Sequence, residues 1–151
     1  MKHVLLGAAA LAAIATAAHA HGPAAAVVEA RQANYKQMAA AVKGINDQLR
    51  GGSPDLAAIR PRAALLAHHA LLVLRWFPHG SGPQAGVQTR ARPEIWSDWG
   101  GFERAGARLL VAARSLNQAA RSGDLAAVRA AIPALTRACS ACHDDYRAPE
   151  H

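Results

Sequence analysis

The cysteine and histidine spacing near the C-terminus carries the clearest chemistry of this chain. Cys139, Cys142 and His143 form the pattern C-x-x-C-H. This pattern is typical of c-type haem attachment, because each thiol can add to a haem vinyl group while the adjacent imidazole reaches the iron from one face. A redox-active C-x-x-C pair and two structural cysteines beside a histidine are the alternative interpretations. The spacing therefore predicts one covalently bound haem c with His143 as an axial iron ligand.

The N-terminal residues predict an exported protein. A short basic start, Met1–His3, precedes an almost unbroken apolar run, Val4–Ala18, and Ala18-His19-Ala20 fits the small-x-small rule for signal cleavage. The run is too short for a comfortable membrane span. We therefore expect residues 1–20 to be a cleaved signal peptide, residues 21–151 to form the mature domain, and the bacterial periplasm to be the compartment, where c-type haem is attached after export.

The charge pattern argues against a nucleic-acid partner. Seventeen Lys and Arg residues against ten Asp and Glu residues give a formal net charge of +7. The basic residues are spread along the chain, and aromatic residues make up only 5% of it. The sequence therefore lacks the clustered basic residues that are typical of a nucleic-acid site. A basic surface could attract an acidic redox partner or an anionic membrane, or it could be an ordinary solvated face. The identity of a redox partner is not predicted.

Apolar periodicity predicts helices. Spacings of three and four mark one apolar face in each of four segments: residues 24–50, 54–75, 101–121 and 125–146. We expect Ser53 to cap the second helix and Asp124 the fourth. Pro61 lies inside the second segment and predicts a kink or a restart there. Pro133 lies inside the fourth segment and predicts a local bend.

The connections between these helices predict the architecture. Residues 76–100 form one long connection rich in Gly, Pro and Trp, whereas the other two connections are short. Loops of such length in a compact domain are usually functional or pack over the core. The pattern favours an all-α, antiparallel four-helix bundle. Because Cys139 and Cys142 fall on the apolar stripe of the fourth helix, we expect the haem to lie inside the bundle.

Three stretches of the chain carry a family resemblance. They are Arg31-Gln32 in the first helix, the sequence RPEIWSD at Arg92–Asp98, and Ser122–Arg147, which ends in CSACHDDYR. Together they resemble the class II c-type cytochromes, the cytochrome c′ family, along the whole mature chain. The resemblance implies a four-helix protein with haem c attached near its C-terminus, and it implies a homodimer formed through the first two helices.

The resemblance also implies roles on the proximal side of the haem. Cys139 and Cys142 match the thioether pair, and His143 matches the proximal ligand. Arg147 falls where the family has a basic residue beside that histidine, from which it could steer a proximal ligand or a propionate. Its alternative interpretation is a helix-terminal Arg that interacts with the helix dipole.

On the opposite side, the resemblance places Arg31 and Gln32 near a haem propionate. An Arg–propionate pair would be a charge-assisted contact, and it would explain an Arg on an otherwise apolar stripe. The alternative is an Arg31 side chain that extends its charged end into water.

The resemblance places Tyr35 in the distal pocket, four residues after Arg31. A Met at this position binds the iron and makes it low-spin, whereas a bulky side chain that does not bind leaves it five-coordinate and high-spin. A neutral phenol in an apolar pocket is a poor iron ligand, so Tyr35 predicts an open sixth site where it crowds or hydrogen-bonds a diatomic gas. A core Tyr unrelated to the haem is the alternative.

Two classes of function stay open because Met38, on the same stripe, is a competing iron ligand. The alternative interpretation is that Met38 only fills the core. The first class is a high-spin haem protein that binds nitric oxide or carbon monoxide and also transfers electrons. The second is a low-spin electron carrier ligated by His143 and Met38. We expect neither class to be an enzyme. A third class, a thiol oxidoreductase that uses Cys139 and Cys142, lacks here the strand-then-helix context that is usual for such a motif.

The remaining histidines are weaker candidates for ligands. His68, His69 or His79 could complete a bis-His haem, although a surface or interface role is the preferred interpretation. His21 would become the mature N-terminus and could bind copper together with the terminal amine.

Overall fold

The computed structural model describes residues 22–149. Its helices are α1 (Pro23–Arg50), α2 (Leu56–Leu72), the short α3 (Glu94–Ser97), α4 (Trp99–Ser122) and α5 (Leu125–Tyr146). Two short 3₁₀ helices, Val73–Trp76 and Pro83–Ala85, lie between α2 and α3. The predicted signal peptide and the copper-binding hypothesis for His21 concern residues outside the described range, so both stay predictions.

The packing of the four long helices confirms the predicted antiparallel four-helix bundle. Helix α4 packs against α2 and α5, and α2 also packs against α1. At one end of the bundle, Arg129 near the start of α5 donates a hydrogen bond of 2.6 Å to the Leu49 carbonyl near the end of α1. Fully buried aliphatic side chains from all four helices form the main core: Ile45, Ile59, Leu66, Leu116 and Leu135.

The buried faces of α1 and α5 largely follow the predicted stripes. In α1 the buried residues include Arg31, Met38 and Ile45, and Val28 faces the core at the start of the helix. In α5 the buried residues are Val128, Leu135, Ala138 and Tyr146. The 3.6-residue period therefore places one face of each helix against the interior of the bundle.

The helix starts show where local chemistry is readable from sequence and where it is not. Asp124 caps α5 as predicted, because its side chain accepts a hydrogen bond of 2.9 Å from the Ala127 amide. The prediction of Ser53 as the cap of α2 is wrong. Asp55 takes that role by accepting from the Ala57 amide at 2.8 Å, and its own amide donates to the Gln48 side chain at 3.0 Å. This tie to α1 fixes the start of α2 two residues later than predicted.

The two internal prolines do not interrupt their helices. Helix α2 continues through Pro61 and α5 continues through Pro133. The restart considered at Pro61 is therefore wrong, and a local bend at either proline stays a prediction. Each proline removes one backbone donor, which the packing of the surrounding helix faces tolerates.

The connection between α2 and α4 packs over one end of the bundle as a second core cluster. Phe77, Ile95, Phe102 and Tyr146 are buried together there. The Trp96 indole nitrogen donates to the Phe77 carbonyl at 3.0 Å, which ties α3 to the loop before it. The long connection was predicted correctly, but it contains α3, a short helix that the sequence analysis did not identify.

Candidate haem-binding site

A cavity of about 850 Å³ lies between α1 and α5, with α2 and α4 behind it. Its volume falls within the range of roughly 300–1,000 Å³ that is common for cofactor pockets. Small side chains such as Ala39, Ala105 and Ala138 line it and leave this space between the helices. The bundle therefore provides an internal site of the size that a porphyrin needs.

The α5 wall of the cavity carries the C-x-x-C-H motif. Cys139, Cys142 and His143 all line the cavity and are half-buried. Residues three and four apart share a helix face, so Cys139 is followed by Cys142 and His143 along the same wall. The helix thus presents two free thiols and an imidazole to one space.

The two thiols do not have the electrostatics of a redox-active pair. Burial raises the pKa of both, and for Cys142 burial together with the neighbouring Cys139 raises the pKa to about 11. Reactive C-x-x-C thiols have a lowered pKa, since the thiolate is the nucleophile. The motif also lies within one long helix, with no strand before it in the described residues. The geometry gives no support to a thiol oxidoreductase.

The imidazole of His143 has the properties of a metal ligand. Burial, together with the nearby cations Arg147 and Arg90, lowers its pKa and favours the neutral form. Neutral imidazole is the form that binds metals. Arg147 lies beside it as the resemblance implied, with Nη1 3.4 Å from Nδ1 of His143. Arg147 directly follows the last residue of α5, and its amide donates to the His143 carbonyl at 3.1 Å.

On the α1 wall, Arg31 is a buried cation with only 3% of its surface exposed. It donates to the Ser81 hydroxyl at 3.0 Å and to the Thr89 hydroxyl at 2.9 Å. Its guanidinium lies 4.6 Å from the centre of the Phe77 ring. The alternative of an Arg31 extended into water is therefore wrong.

The hydrogen bonds of Arg31 leave room for an anion. No carboxylate pairs with it among residues 22–149, and a buried cation without an anion is costly. A guanidinium has five N–H donors, and those bonds together with a contact of 3.5 Å to the Trp76 carbonyl use only some of them. Gln32, also on the cavity wall, is exposed and donates to the Gln88 carbonyl at 2.8 Å.

Tyr35 also lines the cavity, between the two core clusters. Its ring makes an edge contact with Trp76 at 5.3 Å and a tilted contact with Phe77 at 6.4 Å. Burial, and next the nearby Cys142, raises its pKa far above the ordinary value of a phenol. The phenol is therefore neutral, and its hydroxyl has no hydrogen-bond partner within the described part of the chain.

Met38 lies on the same wall, one helical turn along from Tyr35. It is buried and lines the cavity, and it also packs in the main core with Ala41 and Ile45. Both residues that the sequence analysis weighed as distal groups are thus present at the site.

The other histidines within residues 22–149 do not reach the cavity. His68, His69 and His79 are absent from its lining. His69 lies 3.1 Å from the Gln37 side chain, and its pKa is lowered by burial and by His68. His79 borders a separate small cavity of about 350 Å³ beside Trp96. The structure gives no support to a bis-His site.

Several residues of the site were missed by the sequence analysis. Ser81 and Thr89 bind Arg31 from positions 50 and 58 residues away, so no local pattern could have indicated them. Tyr146 donates a hydrogen bond of 2.9 Å to Asp98. Each of these residues belongs to one of the stretches that carried the family resemblance. The role of that pair was not visible from the resemblance.

The donor set fits covalently attached haem c. Two half-buried thiols and a neutral imidazole share one wall, and a buried cation with spare donors faces the same cavity. The thiols can form thioethers, the imidazole can hold the iron, and the cation can pair with a propionate.

The similarity to known proteins points the same way. A family model described as Cytochrome C′ matches residues 26–147. Cytochrome c′ from Rubrivivax gelatinosus is 31% identical over 121 residues, which cover 80% of this chain and 92% of that protein.

Two solved structures share the fold. A nitric oxide complex of a mutant cytochrome c prime from Alcaligenes xylosoxidans has a TM-score of 0.75 at 30% identity, covering 84% of this chain and 97% of that one. A cytochrome c′ described by an unusual ligand-controlled dimer dissociation has a TM-score of 0.77 at 27% identity, covering 83% and 97%. The chain therefore belongs to the cytochrome c′ family, which binds covalently attached haem c.

Proposed function

We propose that the chain is a gas-binding haem protein with one open axial position. Cys139 and Cys142 would hold the haem, and His143 would be its single protein ligand to iron. Covalent haem c supplies an iron centre that binds a small gas when one axial position is free. The observation that carries the proposal is Tyr35, a neutral phenol on the wall that faces the motif.

The register of α1 and α5 supports the placement of Tyr35 opposite His143. The bond from Arg129 to Leu49 joins the two helices at one end. Tyr35 and His143 both lie about 14 residues from that bond, so at about 1.5 Å rise per residue they stand at similar levels. The proximity of Tyr35 to Cys142, which contributes to its raised pKa, agrees with this register.

The surroundings of Tyr35 favour a small neutral gas over water or anions. Trp76 and Phe77 pack around its ring, and an ion would lose its hydration in such an apolar space. The hydroxyl of Tyr35 is available as a donor to a diatomic molecule. The solved nitric oxide complex of a mutant relative supports nitric oxide as a ligand for this chain, and carbon monoxide is a second neutral candidate.

The spin state of the purified holoprotein tests the proposal. We expect a high-spin ferric absorption and electron paramagnetic resonance spectrum, and ferrous protein that binds nitric oxide and carbon monoxide. Tyr35→Met should convert the iron to low spin, whereas the matched variant Tyr35→Phe should stay high-spin. A low-spin wild-type protein, or a Tyr35→Met variant that stays high-spin, would contradict the open site under Tyr35.

A second candidate function is a low-spin electron carrier, favoured by the position of Met38 on the same cavity wall. In that case a methionine–iron charge-transfer band should be present in the wild-type protein and absent in Met38→Leu. We expect no such band, because Met38 stands about one turn away from the level of His143 and packs within the main core.

Three further properties belong to this proposal. We propose that the protein acts in the periplasm, that it binds and releases its ligands without catalysing a reaction, and that it forms a homodimer. A relative whose dimer dissociates under ligand control supports the last point. Sedimentation of the holoprotein should give twice the mass of one chain, and fractionation of expressing cells should place the haem in the periplasmic extract.

A further inference from the structure

The end of α5 needs support if His143 is to hold a metal. The helix ends at Tyr146, so His143 lies on its last turn. The final turns of helices leave carbonyl groups without partners and open more readily than helix centres. At the end of α5, a hydrogen bond of 3.1 Å from the Arg147 amide closes the turn onto the His143 carbonyl.

A carboxylate ties this last turn to the first turn of α4. The Tyr146 hydroxyl donates to Oδ2 of Asp98 at 2.9 Å, while Oδ1 of Asp98 accepts from the Gly101 amide at 3.1 Å and caps α4. The Tyr146 ring is buried and makes an edge contact with Phe102 at 5.2 Å. One side chain, Asp98, therefore couples the two helix ends.

Gly101 makes this coupling possible. A Cβ atom at this position would lie 1.9 Å from the Asp98 carboxylate and 2.4 Å from the Tyr146 hydroxyl. Only a residue without a side chain leaves space for both groups. The absence of a Cβ at Gly101 thus allows α5 to approach the start of α4.

The backbone of the segment before α3 holds the same turn from another side. The Arg92 amide donates to the Tyr146 carbonyl at 3.1 Å, and the Ala148 amide donates to the Arg90 carbonyl at 2.8 Å. These bonds form an antiparallel bridge between Ala91 and Arg147. Backbone and side-chain bonds therefore converge on the few residues that follow His143.

We propose that Asp98 and Tyr146 are positioning residues that fix the imidazole of His143 toward the cavity. Neither residue binds the iron; they act by keeping the last turn of α5 closed and immobile. The inference rests on the proposed role of His143 as the proximal ligand. It assigns a role to the segment RPEIWSD, whose final residue is Asp98.

Tyr146→Phe in the holoprotein tests this role, because it removes one hydroxyl and keeps the ring on Phe102. We expect faster hydrogen exchange at the amide of Arg147, by about tenfold for a lost coupling of about 1.4 kcal/mol. We also expect a shifted and broadened iron–histidine stretching band in the resonance Raman spectrum of the ferrous protein. Asp98→Asn keeps an acceptor for the α4 cap and should shift the band in the same direction by less.

Thr136→Val is the matched control, since it removes a hydroxyl bond of 3.1 Å to the Ile132 carbonyl on the same helix. It should leave the Raman band and the Arg147 amide unchanged. A Tyr146→Phe variant that is less stable but keeps the wild-type band would show a merely structural role and overturn the inference. Absence of any iron–histidine band in the wild-type protein would instead overturn the proposed function.

Discussion

The two walls of the cavity are built in different ways. The α5 wall concentrates its chemistry in five consecutive residues, from Cys139 to His143. The α1 wall carries Arg31, Tyr35 and Met38 across two turns, and Arg31 depends on partners from a distant loop. The difference teaches that the α5 wall is defined by residue spacing along the sequence, whereas the α1 wall is defined by tertiary packing.

The largest expected effect comes from the α5 wall. Replacing both cysteines, Cys139→Ala with Cys142→Ala, should abolish covalent attachment, because no thiol remains to form a thioether. Acid–acetone extraction should remove all haem from this variant and none from the wild-type protein. Ser140→Ala, between the two thiols, is the control and should keep its haem. Haem that resists extraction in the double variant would break the assignment of the α5 wall.

The next effect concerns the α1 wall and its buried cation. Arg31→Met should lower the free energy of unfolding by about 2–3 kcal/mol, the cost of hydrogen bonds to a charged group. It also leaves the Ser81 and Thr89 hydroxyls without their donor. Denaturant unfolding measures the change, and exposed Arg114→Met should change stability by less than about 0.5 kcal/mol.

Equal stability losses in Arg31→Met and Arg114→Met would erase the contrast between the walls. The same variant should keep its covalent haem, since the attachment residues on α5 are untouched. Loss of haem in Arg31→Met would mean that the two walls are not independent in the way their structures indicate.

A smaller effect should depend on pH through Tyr35. Its folded pKa is raised above the ordinary phenol value of about 10, chiefly by burial. The stability that the neutral phenol contributes is therefore present below pH 10 and is lost as the pH rises above it, because the unfolded chain then releases the proton first. Tyr35→Phe should remove about 1 kcal/mol of the loss in stability between pH 9.5 and 11.

Unfolding curves of wild-type and Tyr35→Phe protein at these two pH values measure that difference. An identical alkaline loss in both proteins would show that Tyr35 is not enclosed in the folded state. That outcome would contradict the enclosure of the Tyr35 ring by Trp76 and Phe77 on the α1 wall.

The smallest effect concerns the far end of α5. Asp124→Ala should cost about 1 kcal/mol, the usual contribution of an N-cap, because the amide of Ala127 loses its acceptor. The haem spectrum should not change, since the cap lies more than four turns from His143. Ser53→Ala is the control and should have no measurable effect, because Asp55 rather than Ser53 caps α2. A spectral change in Asp124→Ala would mean that the α5 wall is not locally defined.

Local sequence determined most of the fold and the α5 wall. Apolar spacing identified the four long helices, and the cap of α5 at Asp124 followed from its own side chain. Cys139, Cys142 and His143 share a wall because a helix brings residues three and four apart onto one face. These features depend on neighbours within a few residues, which is why sequence alone could predict them.

Only the tertiary structure decided the environment of those residues. Arg31 is buried because Ser81 and Thr89 reach it from 50 and 58 residues away, and the last turn of α5 is held because Asp98 meets Tyr146 across 48 residues. Asp55 replaced Ser53 as a cap because Gln48 of α1 binds its amide. Burial and hydrogen bonding between distant segments arise from the packed chain as a whole, so no local pattern encodes them.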